Sequence, residues 1–284
     1  MTWFIWRQHR SQALSALATL ATICGIVLWV GLRAAGTLRP FRVAGCIGPD
    51  PSVVHPTAGH SCAGFELIAM SYNYAIPVFE LGVPLVLAVI GALIGAPLVA
   101  REIEQRTQLV AWTQSVTRRR WYGSKVLALG AGLAVVGLLA GFANYRLSQP
   151  LTDGGVTQSR WPWFFSAGLA PAGEILLAFA LAVAIGAWTK RTLPAVGGAL
   201  VGFLVLLFVT GNAVKTLTPT SRTTAPRFEV PRDGWIIQAD GGRNVPYHPA
   251  GQFWPLQVTF LAVALAVSVA LLALGWRATR TRAV

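Results

Sequence analysis

Six stretches of mostly apolar residues divide the chain, and polar segments of unequal length separate them. They run approximately over Ala13–Leu32, Leu81–Ala100, Val126–Tyr145, Phe164–Ala187, Leu193–Thr210 and Pro255–Trp276. Crossing about 30 Å of hydrocarbon takes about 20 such residues in a helix. Helix is the predicted form of each stretch, because within lipid every backbone N–H and C=O must find its partner inside the segment. The strand-by-strand alternation of a membrane barrel is absent. The first stretch is longer than the core of a cleavable leader and has no small-residue cleavage site after it, so it reads as a retained span.

The polar segments are also patterned. The opening residues Met1–Arg10 mix Trp3 and Trp6 with Arg7 and Arg10, which predicts a short helix lying in the membrane interface before the first span. Between the second and third spans, Leu109, Val110, Trp112 and Val116 fall on one helical face. An amphipathic helix of that kind needs a partner or a lipid surface. Three longer segments, about 33–80, 144–163 and 212–254, are rich in Pro, Gly, Ser and Thr and read as loops, the first and third as small ordered lobes or partly disordered. The expected architecture is one all-α membrane domain over 1–284 with six spans.

Composition supports lipid as the solvent. Hydrophobic residues make up 54% of the chain and charged residues 12%, against roughly 25% charged in a soluble domain. The net charge of +13 changes the picture only through its distribution. Placing both termini in the cytoplasm makes the inner segments roughly threefold denser in Arg and Lys than the outer ones, the bias that sets orientation. It also puts the Arg118-Arg119-Arg120 cluster inside. Basic residues beside apolar runs, with no zinc-finger spacing and no RNA-recognition signature, argue against nucleic acid as a partner.

Few residues offer chemistry. Cys46 and Cys62 share the first outer segment, where the environment is oxidising, and form a candidate disulfide. An alternative groups His55, His60 and Cys62 as metal ligands, but their spacing matches no strong zinc pattern. Cys24 lies within a span and reads as a packing residue. Glu174 stands alone some ten positions into the fourth span, near mid-bilayer by count, where an unpaired carboxylate is costly. Two readings stand for it: a polar group on a translocation path, or a residue in a shallow, hydrated turn made by Pro171 and Gly173. The chain has no phosphate-binding G-x-x-x-x-G-K-[ST] loop, no H-E-x-x-H and no G-x-S-x-G with suitable partners, so chemistry, if any, would be supplied by another chain.

With these residues in view, the chain resembles the permease subunits of type-2 ABC exporters, particularly the actinobacterial group, in which ATP and Mg would be bound by the partner ATPase. Trp3 through Arg10 resembles that group's W-x-x-W-R-Q-H-R opening. Gly95–Thr107 resembles G-A-P-L-x-A-R-E-x-E-x-G-T, and Ala111–Arg120 resembles A-W-T-Q-S-V-[ST]-R-x-R. Tyr247–Pro255 resembles Y-x-P-A-x-x-F-W-P. The chain departs at Arg106, where the pattern has Gly.

The resemblance implies a non-catalytic membrane subunit in the cytoplasmic membrane. It further implies a second permease chain, identical or homologous, and two ATPase subunits that consume ATP. A coupling helix around Glu102–Arg120 would dock on the ATPase, with Glu102, Glu104, Arg106, Thr107, Trp112 and Arg118 as its candidate contacts. The cargo would be a hydrophobic or amphipathic compound such as an antibiotic, a peptide or a lipid. The rival functions are a membrane sensor or scaffold that signals through its inner helix, and a gradient-coupled carrier that uses Glu174.

Overall fold

The computed structural model describes residues 2–43, 46, 62, 64–105, 117–153, 161–217, 220–223, 234–236 and 245–281. Six helices dominate: α1 (Thr2–Val43), α2 (Phe65–Glu104), α3 (Arg118–Asp153), α4 (Ala170–Thr189), α5 (Thr192–Leu217) and α6 (Phe253–Thr281). Five of them, α2 to α6, are long and apolar enough among the described residues to cross a membrane. Large apolar side chains such as Leu193 (84% exposed), Leu127 (74%) and Phe208 (74%) face outward. A soluble monomer does not leave so much contiguous apolar surface in water.

Several helices outrun the predicted spans. α1 and α2 have 42 and 40 residues, about 60 Å each at 1.5 Å per residue, or about twice the hydrocarbon thickness. The segment expected as a loop over 33–80 is therefore largely helical: α1 continues to Val43 and α2 begins at Phe65. Thr37 and Tyr72 hydrogen-bond at 3.0 Å, and the rings of Phe41 and Phe65 meet at 5.6 Å. These contacts reward continuation beyond the apolar core. α3 likewise extends through Pro150 to Asp153. The interfacial helix expected before the first span is not a separate element, because α1 runs unbroken from Thr2.

The segment 212–254, expected as a loop, is also partly ordered. It holds a three-stranded antiparallel sheet of β1 (Ser221–Thr223), β2 (Trp235–Ile236) and β3 (Val245–His248), in the order β1-β3-β2. Ser221 pairs with Tyr247, and Trp235 pairs with His248.

α4 is the central helix. α2, α3, α5 and α6 all pack on it, and residues from Ala170 to Ala184 are almost all buried. Small residues make this possible. Ala88, Ala92 and Ala96 of α2 meet Ala178 and Ala182 of α4, with Ala195 and Ala199 of α5 in the same cluster. Without a hydrophobic drive between helices in lipid, close backbone approach over small side chains is what holds a bundle together.

Candidate functional site

The ends of α2, α3, α4, α5 and α6 that carry most of the basic residues gather at one face. There the segment between α2 and α3 leaves the bundle, and two carboxylates flank its start. Glu102, in the last turn of α2, forms an ion pair with Lys125 of α3, and both side chains are mostly buried. Lys125 also lies 4.9 Å from the ring centroid of Trp121. Glu104 accepts hydrogen bonds from the Thr192 backbone N–H (3.4 Å) and hydroxyl (2.9 Å), at the first turn of α5. An anion there completes the unpaired N–H groups of the helix start and opposes its dipole. On the other side of the segment, Thr117 caps α3 by accepting the Arg120 N–H at 3.3 Å. One carboxylate thus ties α2 to α3 and the other ties it to α5.

At the opposite face the chain enters α4 through an elbow. Trp161–Trp163 form a 3-10 turn, residues 164–169 continue as turns, and α4 begins only at Ala170. Pro162 and Pro171 bracket this stretch, and Gly168 sits at φ +70°, a conformation that favours glycine. The apolar stretch expected from Phe164 thus becomes helix only at Ala170. Within a membrane, irregular backbone is tolerated only when it is buried in protein and satisfied there.

Gln257 of α6, fully buried, supplies much of that satisfaction. Its Oε1 accepts the N–H groups of Leu169 (2.9 Å) and Ala170 (2.7 Å). Its Nε2 donates to the carbonyls of Phe164 (2.6 Å) and Ala167 (3.2 Å). Asn144 of α3 donates to the Ser166 carbonyl at 3.0 Å, and the Gly168 N–H donates to the Gly141 carbonyl at 2.9 Å. Around the elbow, the rings of Trp161, Phe164, Phe165, Phe253 and Phe260 pack edge to face or stacked. His248 at the end of β3 stands against Trp161 and hydrogen-bonds Gln252 at 2.8 Å.

Glu174 follows as the fifth residue of α4, about 6 Å along the helix from its start. It is fully buried, and among the described residues neither carboxylate oxygen has a hydrogen-bond partner. Helical phase groups it with Leu177 and Leu181, and Leu181 meets Gly202 of α5. The six residues from Phe164 to Leu169 are turn rather than helix, so Glu174 lies in the second turn of α4 instead of ten positions into a helix. The turn exists, and Glu174 lies beyond it, in helix.

Two glycine pairs seat this part of α4. A methyl group on Gly91 or Gly95 of α2 would lie 2.6 Å from the carbonyl oxygens of Ile175 and Phe179, respectively. On α3, a methyl on Gly137 would lie 2.6 Å from Ala172 Cα, and one on Gly141 would lie 2.1 Å from the Gly168 oxygen. Both pairs have the G-x-x-x-G spacing of close helix contacts in membranes.

A family model described as ABC-2 membrane transporter related matches residues 17–215, more than two thirds of the chain. The chain belongs to that family. It is a multi-pass membrane protein, and membership points to the transmembrane subunit of an ABC transporter with an ABC ATPase as its general partner. Permeases of this family are typically non-catalytic themselves. No curated protein and no solved structure gives a significant match.

The permease's predicted site residues fall into three groups. Glu102 and Glu104 stand together at the basic face. Arg118 begins α3, while Arg106, Thr107 and Trp112 lie outside the described residues. Cys46 and Cys62 are joined as a disulfide, with Cα atoms 5.5 Å apart, at the face that holds the elbow. His55 and His60 lie outside the described residues. Sequence reasoning missed Lys125, Asn144 and Gln257. A lone Gln inside the last apolar run was the available signal for Gln257, and the two G-x-x-x-G spacings were the signal for the cradle of α4.

Proposed function

We propose that the permease is the membrane half of an ATP-driven exporter. It has six spans, α1 included, and both termini in the cytoplasm. The ATPase-docking helix falls between α2 and α3. The observation that carries this reading is the pair of carboxylate braces at the start of that segment. Any push on the segment reaches α3 through Glu102–Lys125 and α5 through Glu104–Thr192, and both helices bear on α4. Glu102 and Glu104 then act as transmitters of force rather than as the docking contacts themselves, the contacts falling to Arg106, Thr107, Trp112 and Arg118. Rigid-body docking converted into helix movement is a familiar form of switching.

The basic face is the cytoplasmic one, by the density of Arg and Lys. The Cys46–Cys62 pair on the opposite face agrees, since disulfides persist in oxidising compartments. Two ATPase subunits hold ATP and Mg, and a second permease chain, identical or homologous, completes the path in a bacterial cytoplasmic membrane. The cargo class is hydrophobic or amphipathic, as for an antibiotic, a peptide or a lipid-like compound.

The test is co-expression with the ATPase, purification in mild detergent, and measurement of co-elution and ATP turnover. Wild type co-elutes. Glu104→Lys also co-elutes but loses about tenfold in transport-coupled turnover, about 1.4 kcal/mol of coupling. Failure to associate with any ATPase would sink the exporter reading and favour a sensor or scaffold. A second reading, a gradient-coupled carrier, draws on the buried, unpartnered carboxylate of Glu174. It predicts uptake or efflux in vesicles that follows an imposed proton gradient without ATP and disappears in Glu174→Gln.

A further inference from the structure

A groove of about 840 Å³ opens between the start of α3 and the end of α6, and the transport reading makes no use of it. Val269 and Leu272 of α6 supply its apolar wall, and Gly123 of α3 leaves its floor open, with nothing within 4 Å of where a side chain would begin. Val269 is 65% exposed. Farther toward the helix ends come Tyr122, Trp276, Arg119 and Arg280. Arg280 stands about 16 Å beyond Val269 along α6.

The site is braced. The Tyr122 hydroxyl donates to the Leu272 carbonyl at 2.8 Å, the rings of Tyr122 and Trp276 lie 5.5 Å apart, and the Arg280 guanidinium lies 5.8 Å from the Trp276 centroid. Among the described residues no carboxylate lines the groove. The two nearby in sequence, Glu102 and Glu104, are turned toward Lys125 and Thr192.

These features are complementary to one kind of molecule. Two exposed guanidinium groups offer forked donors that match phosphate oxygens. Trp276 and Tyr122 mark the level of the lipid headgroups. Below them, an apolar trough opens outward from the chain, where a hydrocarbon chain would cover it. Basic pockets between membrane helices are the sites that hold anionic headgroups. We propose that this groove binds one anionic phospholipid, its phosphate on Arg119 and Arg280 and one acyl chain along α6 past Leu272 and Val269. The proposal rests on the chain being embedded in a membrane and not on its being driven by ATP.

Native mass spectrometry of the full chain in mild detergent tests it, with phosphatidylglycerol or phosphatidylcholine added. One phosphatidylglycerol per chain is retained in preference to phosphatidylcholine. Retention weakens about fivefold in Arg119→Ala or Arg280→Ala and about thirty-fold in the double variant, as two surface charges near a headgroup predict. Arg120→Ala removes the same charge just outside the groove and leaves retention unchanged. Gly123→Trp fills the trough without altering charge and abolishes retention.

Equal weakening by Arg120→Ala would reduce the effect to diffuse surface charge and overturn the site. So would full retention in the double variant, or no preference between the two lipids. Gly123→Cys, placed in a Cys24→Ser background, adds a further check. If it cross-links two chains in the membrane, a second copy occupies the groove and the lipid does not. A preparation that binds no ATPase yet keeps this lipid selectively supports the site while counting against the exporter.

Discussion

At the scale of single residues, Glu174 and Gln257 are opposites. Both are fully buried polar side chains near the start of α4. Gln257 is bonded at both ends of its amide to four backbone groups, while Glu174 has no hydrogen-bond partner among the described residues. A buried polar group left unsatisfied costs about 1–3 kcal/mol, so Glu174 weakens the resting structure. Replacing it with Met keeps the volume and removes the penalty. Glu174→Met is expected to raise the melting temperature in detergent and to lower transport at least tenfold, the exchange of stability for activity seen at working sites. Thermal denaturation and a transport assay on the same preparation check it, and unchanged transport would reduce Glu174 to a structural residue.

At the scale of elements, hydropathy located the helices because lipid makes a local demand on each of them. The cores of the second, third, fifth and last spans fall inside α2, α3, α5 and α6. The helix ends were illegible for the same reason: Arg33, Arg39, Glu66 and Glu80 interrupt the apolar pattern, yet α1 and α2 continue through them, held by contacts such as Thr37–Tyr72. The elbow was illegible because its stability comes from Gln257, 87 or more positions away in the chain. The glycine cradle left a local trace in its G-x-x-x-G spacings, which the sequence reading did not use. Gly91→Ala or Gly141→Ala should push α4 from its seat and destabilise by about 1–3 kcal/mol, the usual cost of overpacking. Gly132→Ala, where the added methyl meets nothing, should instead stabilise by up to about 1 kcal/mol through helix propensity. Parallel thermal melts of the three variants decide it, and equal effects would remove the cradle argument.

At the scale of the whole molecule, the two faces are built differently. The basic face is tied by charge, through Glu102–Lys125 and Glu104–Thr192. The opposite face is tied by the disulfide, the small sheet and the aromatic cluster at the elbow. Closing a sixteen-residue separation with a disulfide stabilises by about 3 kcal/mol in the chain-entropy account. Reduction, or Cys46→Ser with Cys62→Ser, should therefore lower the melting temperature while leaving ATPase association intact, because the cross-link is remote from the basic face. Loss of ATPase association on reduction would show that the two faces are not independent.

The Gln257 clamp also bears on how the protein is made. The elbow at 161–169 leaves the ribosome long before α6 does. Until α6 arrives, the Leu169 and Ala170 N–H groups and the Phe164 and Ala167 carbonyls lack the amide that satisfies them, and unpaired backbone is costly in hydrocarbon. The fourth segment therefore cannot settle into lipid as a finished unit in the order of synthesis. It is completed only when the last helix is threaded beside it, so a chain stopped before Gln257 leaves its central helix without the amide that finishes its beginning.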